Sequence, residues 1–152
     1  MKTYIGTKLI EAEEMSECTF LEKEKNQATH PDMEDRPGYK FRYKDGYESW
    51  SPKEAFEDAY RELNKMTFGD AIIILKQGGK VTRAGWNGKG MWLKLFHAGH
   101  VSDDALANSL GTSYEDTPTA VSYIAMKTAD NKLIPWLASQ TDVLSEDWQL
   151  IG

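Results

Sequence analysis

The stretch "MTFGDAIIILKQGGKVTRAGWNGKGMWLKLF" (Met66–Phe96) decides the fold. Thr67 is a suitable N-cap, and apolar residues then recur at helical spacing until the pair Gly78-Gly79, which ends the pattern. The members of that apolar face are Phe68, Ala71, Ile72 and Leu75. Beyond the glycines, "KVTRAGW" and "MWLKLF" are strand-like, and "NGKG" between them is typical of a hairpin turn. The stretch therefore predicts a helix followed by a β-hairpin.

Three more strand-like segments follow, "AVSYIAMKTA" (120–129), "KLIPWL" (132–137) and "DWQLI" (147–151), with a turn at "ADNK". The polar segment "HVSDDALANSLGTSYEDTPT" (100–119) predicts a long loop or a short helix. Together these patterns predict an α+β domain over residues 66–152, in which one helix packs on a small antiparallel sheet.

Residues 1–65 predict a separate ββα-like module, with the domain boundary near Lys65. "TYIGTKLIEA" (3–12) is strand-like, and "GYKFRYKDGYESW" (38–50) alternates aromatic and polar residues around an Asp-Gly turn. The segment 22–38 has two prolines and almost no apolar residue, which predicts a loop. A helix is expected next, with Ser51 as its N-cap, Pro52 in its first turn and Glu54 completing a capping box.

The composition indicates a soluble globular protein: 152 residues, 40% hydrophobic, 28% charged, with a formal net charge of −6. That charge argues against binding to duplex nucleic acid through its phosphates. The single cysteine, Cys18, permits no internal disulfide, which favours a reducing cytoplasm. The sequence has no signal-peptide pattern and no run of membrane-spanning length, so we expect neither secretion nor a membrane partner.

Catalytic patterns are weak. His97 and His100 have a metal-like spacing only on a helix, and "KLFHAGHV" reads as the end of a strand. The acidic pairs Asp103-Asp104 and Glu146-Asp147 are more typical of solvated turns than of acid–base dyads. Ser139 and Ser145 have no recognisable partners in the sequence. The residues therefore do not indicate an enzyme, and we expect no metal and no cofactor.

Two stretches carry what a nucleotide site needs: flat aromatics for the base, turn amides or cations for phosphate, and small polar groups for the ribose. The first, "RAGWNGKGMW", supplies Arg83, Trp86, Asn87, Gly88, Lys89 and Gly90. The second, "PWLASQTDVLSEDW", supplies Trp136, Ser139, Gln140, Thr141 and Asp142. A short polar turn on the rim of a pocket explains residues 139–142 best; the alternative is that they cap the turn that follows them, and both can hold. Trp86 and Trp136 are either ligand plates or core residues, whereas Trp92 and Trp148 lie within apolar runs and are better core candidates.

The segments "MTFGDAIIILKQGGKVTRAGWNGKGMWL" and "YIAMKTADNKLIPWLASQTDVLSEDW", in this order, closely resemble the phage-encoded type-two Thoeris anti-defence proteins. The resemblance covers nearly all of Met66–Ile151. It implies a non-enzymatic sponge that binds cyclic ADP-ribose-type signals and keeps them intact, so that the defence effector stays inactive. Some relatives also bind cyclic di- or trinucleotides. Residues 1–65 look like a module found in phage and prophage proteins, to which no activity is attached.

The same resemblance makes Trp86 and Trp136 stacking residues, and makes Asn87 and the Ser139–Asp142 turn polar contacts. Arg83 and Lys89 are added here on electrostatic grounds, and Gly88 is added as a turn amide suited to phosphate. The resemblance further implies a homo-oligomer, a dimer or tetramer, with pockets between subunits. The N-terminal extension leaves the tetramer open, and the preferred cyclic nucleotide and a second pocket are open as well. Two alternatives remain: a nucleotide-degrading hydrolase and a phage protein–protein interaction module.

Overall fold

The computed structural model describes residues 1–86, 89–97, 108–111, 113 and 121–152. The chain divides into two compact units, Met1–Arg61 and Glu62–Gly152. Each unit combines antiparallel strands with helices, which confirms the predicted α+β class. Within the part of the chain that is described, no helix is both long enough and apolar enough to cross a membrane.

The N-terminal unit is a three-stranded antiparallel sheet with two helices, and its strands lie in the order β1-β2-β3. Its elements in chain order are β1 (Glu11–Glu14), α1 (Glu17–Lys25), β2 (Gly38–Arg42), β3 (Glu48–Pro52) and α2 (Lys53–Ala59). Phe41 of β2 and Phe56 of α2 are buried together, and the ring of Tyr39 stacks on Phe56 with 4.3 Å between centroids. Aromatic packing between sheet and helix thus forms the core of this unit.

The first strand and the loop after it differ from their predicted bounds. The strand predicted over residues 3–12 begins only at Glu11, and residues 1–10 have no regular structure. The loop predicted over residues 22–38 starts later, because α1 continues to Lys25. The hydroxyl of Ser16 accepts a hydrogen bond from the backbone N–H of Thr19, which caps this helix. Capping and charge placement at the helix ends therefore stabilise a helix whose hydrophobicity is low.

The prediction that Ser51 caps the second helix is wrong. Ser51 lies in β3, where it pairs with Tyr39, and α2 begins at Lys53 without a side-chain cap. The backbone N–H of Lys53 instead donates to the carbonyl of Pro37, at 3.1 Å. A tertiary backbone contact thus satisfies one of the free N–H groups that the sequence had assigned to a serine.

The C-terminal unit is a five-stranded antiparallel sheet in the order β7-β6-β5-β4-β8, with one long helix. Its elements are α3 (Phe68–Lys76), β4 (Lys80–Arg83), a 3₁₀ turn (Ala84–Trp86), β5 (Trp92–Phe96), β6 (Tyr123–Lys127), β7 (Leu133–Pro135), α4 (Gln140–Val143) and β8 (Trp148–Ile151). The predicted helix and the turn between β6 and β7 are present, and β4 pairs with β5 as predicted. The strand expected over residues 80–86 ends at Arg83, because residues 84–86 form the 3₁₀ turn, and residues 87–88 of the predicted hairpin turn lie outside the described residues. The segment predicted as a long loop lies largely outside the described residues.

Helix α3 begins and ends at the residues that the sequence predicts, with a cap at its start and a glycine after its end. Thr67 and Asp70 form a reciprocal capping box at its start. Past its end, Gly78 has φ +85°, a left-handed conformation that glycine adopts without strain. The helix packs on β4, β5 and β8, and its Leu75 is buried with Val81 and Leu93 of the sheet. This packing fixes the position of β4, from which the first part of the candidate site extends.

Candidate ligand-binding site

Four aromatic rings meet at the end of the sheet where β8 lies beside β4. They are Phe68, Trp86, Trp136 and Trp148, and we call them the aromatic cluster. Trp86 meets Trp148 edge-to-face at 5.5 Å between centroids, and Trp136 does so at 6.1 Å. Trp148 is fully buried, whereas Trp86 and Trp136 are half-buried. Two tryptophans that are fifty residues apart in the sequence therefore rest on one buried ring and keep part of their surface in water.

The two tryptophans that were predicted as core residues have different environments. Trp148 is a core residue as predicted, and its indole Nε1–H donates to the carbonyl oxygen of Asp142 at 3.0 Å. Trp92 is only half-buried, and it alternates along β5 with the buried Leu93, so the two side chains point to opposite faces of the sheet. The ammonium group of Lys80 lies 5.2 Å from the centroid of the Trp92 ring.

The segment Ser139–Asp142 forms the start of α4. The Ser139 hydroxyl accepts from the N–H of Asp142 at 3.0 Å, and the Asp142 carboxylate accepts from the Ser139 hydroxyl at 2.6 Å. The alternative in which these residues cap the following turn is therefore confirmed. The side chains of Gln140 and Thr141 are exposed between them. A rigid polar turn thus follows Trp136 in the chain.

An arginine joins this turn to the first part of the site. Arg83 donates from Nη1 to Asp142, at 2.7 Å, and from Nε to Asp147, at 2.8 Å. The hydrogen bond from Arg83 holds the pKa of Asp147 below its ordinary value. Burial acts to raise the pKa of Asp142, but hydrogen bonds from Ser139 and Arg83 outweigh it and the net shift is downward. The pKa of Arg83 is raised, chiefly by its hydrogen bond to Asp147.

Asp147 also holds the 3₁₀ turn that ends at Trp86. Its carboxylate accepts from the backbone N–H of Gly85 at 2.7 Å, and its backbone carbonyl accepts from the N–H of Ala84 at 3.1 Å. The prediction that the Glu146-Asp147 pair is a solvated turn is therefore wrong for Asp147. This residue is half-buried, and its carboxylate accepts hydrogen bonds from Arg83 and from the backbone of Gly85. Its position directly before Trp148, a predicted core residue, is a local signal that Asp147 is not fully solvated, but the sequence does not indicate its partners.

The remaining predicted site residues lie on the connection between β4 and β5. Asn87 and Gly88 fall outside the described residues. Lys89 is exposed, and Gly90 has φ +64° while its carbonyl accepts from the ammonium of Lys127 at 3.2 Å. Among the residues that the structure describes, no group of three His, Cys, Asp or Glu side chains could hold a metal ion.

Shallow grooves also lie on the N-terminal unit, and some of their charged side chains are paired with one another. In one groove Arg42 pairs with Glu11, and Lys40 contacts Glu48 at 3.4 Å. The adjoining groove is lined by the charged residues Glu11, Arg42 and Lys44 together with Leu9, Ile10, Tyr43 and Gly46. The aromatic cluster of the C-terminal unit offers two half-exposed tryptophans, the surfaces that a flat ligand needs, and is therefore the stronger candidate for a ligand site.

Fold and site together define a small α+β domain in which one helix covers a five-stranded antiparallel sheet and tryptophans form a half-exposed cluster at the sheet's end. The family model described as Tad2-like, the Thoeris anti-defense 2-like domain, matches residues 66–151, and the chain belongs to this family. The chain is also similar to a protein of Bacillus phage SP01 named Thoeris anti-defense 2. The two are 49% identical over 91 residues, which is 58% of this chain and 97% of the phage protein. The resemblance stated from the sequence is thereby confirmed.

Proposed function

We propose that this protein binds cyclic ADP-ribose-type signalling nucleotides and sequesters them intact, in the cytoplasm of the infected bacterium, so that Thoeris immunity is not activated. In this proposal residues 66–152 are the ligand-binding domain. The observation that carries it is the placement of Trp86 and Trp136, half-exposed on the same buried Trp148. Membership of an anti-defence family, and the name of the SP01 relative, support the biological setting.

The proposed affinity follows from stacking plus polar contacts. A base stacked on an aromatic side chain contributes about 1–3 kcal/mol, whereas nanomolar binding needs about −12 kcal/mol. Stacking on Trp86 and Trp136 thus supplies only part of the free energy. Exposed polar groups of Gln140, Thr141 and Lys89 are available for the ribose and phosphate, and Asn87 and the Gly88 amide remain predicted contacts. A preformed site loses little further free energy to ordering, which favours tight binding.

Sequestration also suits the side chains of the cluster chemically. A sponge needs no group that stabilises a transition state, since it must only bind the ground state tightly. The carboxylates of Asp142 and Asp147 both accept hydrogen bonds from Arg83, and both have lowered pKa values. An ionised, paired carboxylate is a poor general acid, so we propose that the protein is not an enzyme.

We further propose that the site is completed by a second copy of the chain, in a dimer or tetramer. Leu137 follows Trp136 directly and is 91% exposed, and Leu144 at the end of α4 is 76% exposed. Exposed large apolar side chains grouped beside a binding site are typical of an interface. A partner subunit seated there would cover both leucines and would enclose a ligand stacked on Trp136.

The proposal is tested by titration calorimetry of the purified full chain against cyclic ADP-ribose isomers and cyclic dinucleotides. We expect tight binding to at least one cyclic ADP-ribose isomer, and a large loss of affinity in Trp86→Ala. Trp92→Ala is the matched control, because it removes a half-buried tryptophan from the opposite face of the sheet. Wild-type affinity in Trp86→Ala, together with loss of a protein complex, would instead favour the protein-interaction module.

A further inference from the structure

The Trp86 turn and the Ser139–Asp142 turn are joined through one side chain, that of Arg83. We infer that Arg83 and Asp147 are positioning residues. They fix the position of Trp86 relative to the Ser139–Asp142 turn, and they do not themselves contact the ligand. This inference rests on the proposed function, because it concerns the same site. It replaces the role of phosphate donor that the sequence suggested for Arg83.

Asp147 is the link between the arginine and Trp86. Its Oδ1 accepts from Arg83 Nε at 2.8 Å, while its Oδ2 accepts from the Gly85 N–H at 2.7 Å. Together with the bond from Ala84 N–H to its carbonyl, it binds two of the three residues of the 3₁₀ turn that ends in Trp86. So short a turn has little hydrogen bonding of its own. Among the described residues, Asp147 therefore contributes directly to the orientation of the turn that ends in Trp86.

Asp142 is the corresponding link on the other side. Its Oδ1 accepts from Arg83 Nη1 at 2.7 Å, and its Oδ2 accepts from the Ser139 hydroxyl at 2.6 Å. Its backbone carbonyl accepts from Trp148 Nε1–H. The polar turn is thus fixed to the same guanidinium as the Trp86 turn, and to the buried ring on which Trp86 rests.

The charges at this point disfavour a direct phosphate contact. The side chain of Arg83 is 11% exposed and lies between two carboxylates, so the three groups together carry one negative charge. A phosphate reaching the guanidinium would have to displace Asp142 or Asp147, whose own side chains are 13% and 32% exposed. Lys89, which is exposed and follows Trp86 three residues later in the chain, is better placed to meet an anion.

Asp147→Asn separates a positioning role from an electrostatic one by the sign of its effect. Removing a negative charge near a bound phosphate would tighten binding, whereas weakening the hold on Trp86 loosens it. We expect Asp147→Asn to weaken binding of the cyclic ADP-ribose isomer about tenfold, the equivalent of roughly one hydrogen bond to a charged group. In a Trp86→Ala background the same substitution should change the affinity less than about twofold, because the residue it positions is gone.

Tighter binding in Asp147→Asn, or an equal loss in both backgrounds, would overturn the inference. Gly85→Ala is a second variant for the case that Asp147→Asn does not fold: an added Cβ would lie 2.9 Å from Asp147 Oδ2 and should displace the turn, with the same dependence on Trp86.

A ligand-free measurement keeps this test separate from the proposed function. In ¹⁵N spectra of the full chain, Asp147→Asn should shift the indole resonance of Trp86 and the amide of Gly85, and should leave Trp92 in place. An unshifted Trp86 would overturn the positioning role. Failure of the wild-type chain to bind any cyclic ADP-ribose isomer would count against the proposed function alone.

Discussion

Replacing Trp136 by alanine distinguishes two possible roles of this residue, stacking on a ligand and packing within the aromatic cluster. Its ring meets Phe68 at 6.0 Å and Trp148 at 6.1 Å between centroids. Aromatic pairs contribute about 0.5–1.5 kcal/mol each beyond the burial of their surface, and the half-buried ring loses that burial as well, so Trp136→Ala should lower the free energy of unfolding by about 2–4 kcal/mol. A domain of this size has a free energy of unfolding of about 5–15 kcal/mol. The variant is therefore expected to remain folded at 25 °C.

A loss of stability of this size leaves the variant folded and does not by itself change its Kd. A lower affinity of Trp136→Ala for the nucleotide therefore reports a lost contact with the ligand. Loss of one base stack, about 1–3 kcal/mol, raises the Kd about 5- to 150-fold. Urea unfolding gives the stability of the variant and titration calorimetry gives its Kd, each compared with Trp92→Ala, which should bind as the wild type does. The reasoning is refuted if folded Trp136→Ala binds with wild-type affinity, or if Trp92→Ala is the variant that loses binding.

Three other perturbations have expected outcomes. The pKa values of Asp142 and Asp147 are lowered in the folded state, so their contribution to stability is fully present above the unfolded pKa of about 4. This contribution is lost as the pH falls through the folded pKa values. Urea unfolding between pH 7 and pH 2 measures the loss, and an unfolding midpoint that does not change with pH would contradict it. Thr67→Ala removes the cap of α3 and should lower the free energy of unfolding by about 0.5–2 kcal/mol, while Thr67→Ser should retain most of it. Replacing Leu137 and Leu144 by serine should reduce the molar mass measured by light scattering, whereas an unchanged mass would place the subunit contact elsewhere.

The sequence predicted those parts of the C-terminal unit that depend on neighbouring residues. Helix α3 has its cap at Thr67 and its stop at Gly78, and the β4–β5 hairpin joins strands that are adjacent in the chain. The pairing of β8 with β4 at the edge of the sheet brings Arg83 opposite Trp148, which lies 65 positions further along the chain. No local sequence pattern indicates this pairing. Ser51 was assigned wrongly for a different reason: β3 continues past the predicted end of the hairpin at Trp50, so Ser51 pairs with Tyr39 and α2 begins only at Lys53.

The site was predicted by residue type but not by arrangement. Trp86 and Trp136 were chosen because a flat ligand needs aromatic surfaces, yet only the fold places both rings on Trp148. Asp147 was assigned to a solvated turn because a carboxylate beside Glu146 resembles ordinary surface sequence. Its hydrogen bonds to Arg83 and Gly85 arise from the pairing of β8 with β4. Such a network cannot be derived from spacing along the chain.

The central claim, sequestration without degradation, is tested most directly by the fate of the bound nucleotide. The full chain is incubated with an excess of a cyclic ADP-ribose isomer, freed of unbound ligand by gel filtration, and heat-denatured; the released nucleotide is then quantified by chromatography and mass spectrometry. The account predicts a molecule of unchanged mass, in a fixed ratio to protein that does not change with incubation time. Linear or hydrolysed product accumulating with time, or no retained nucleotide for any isomer, would contradict it.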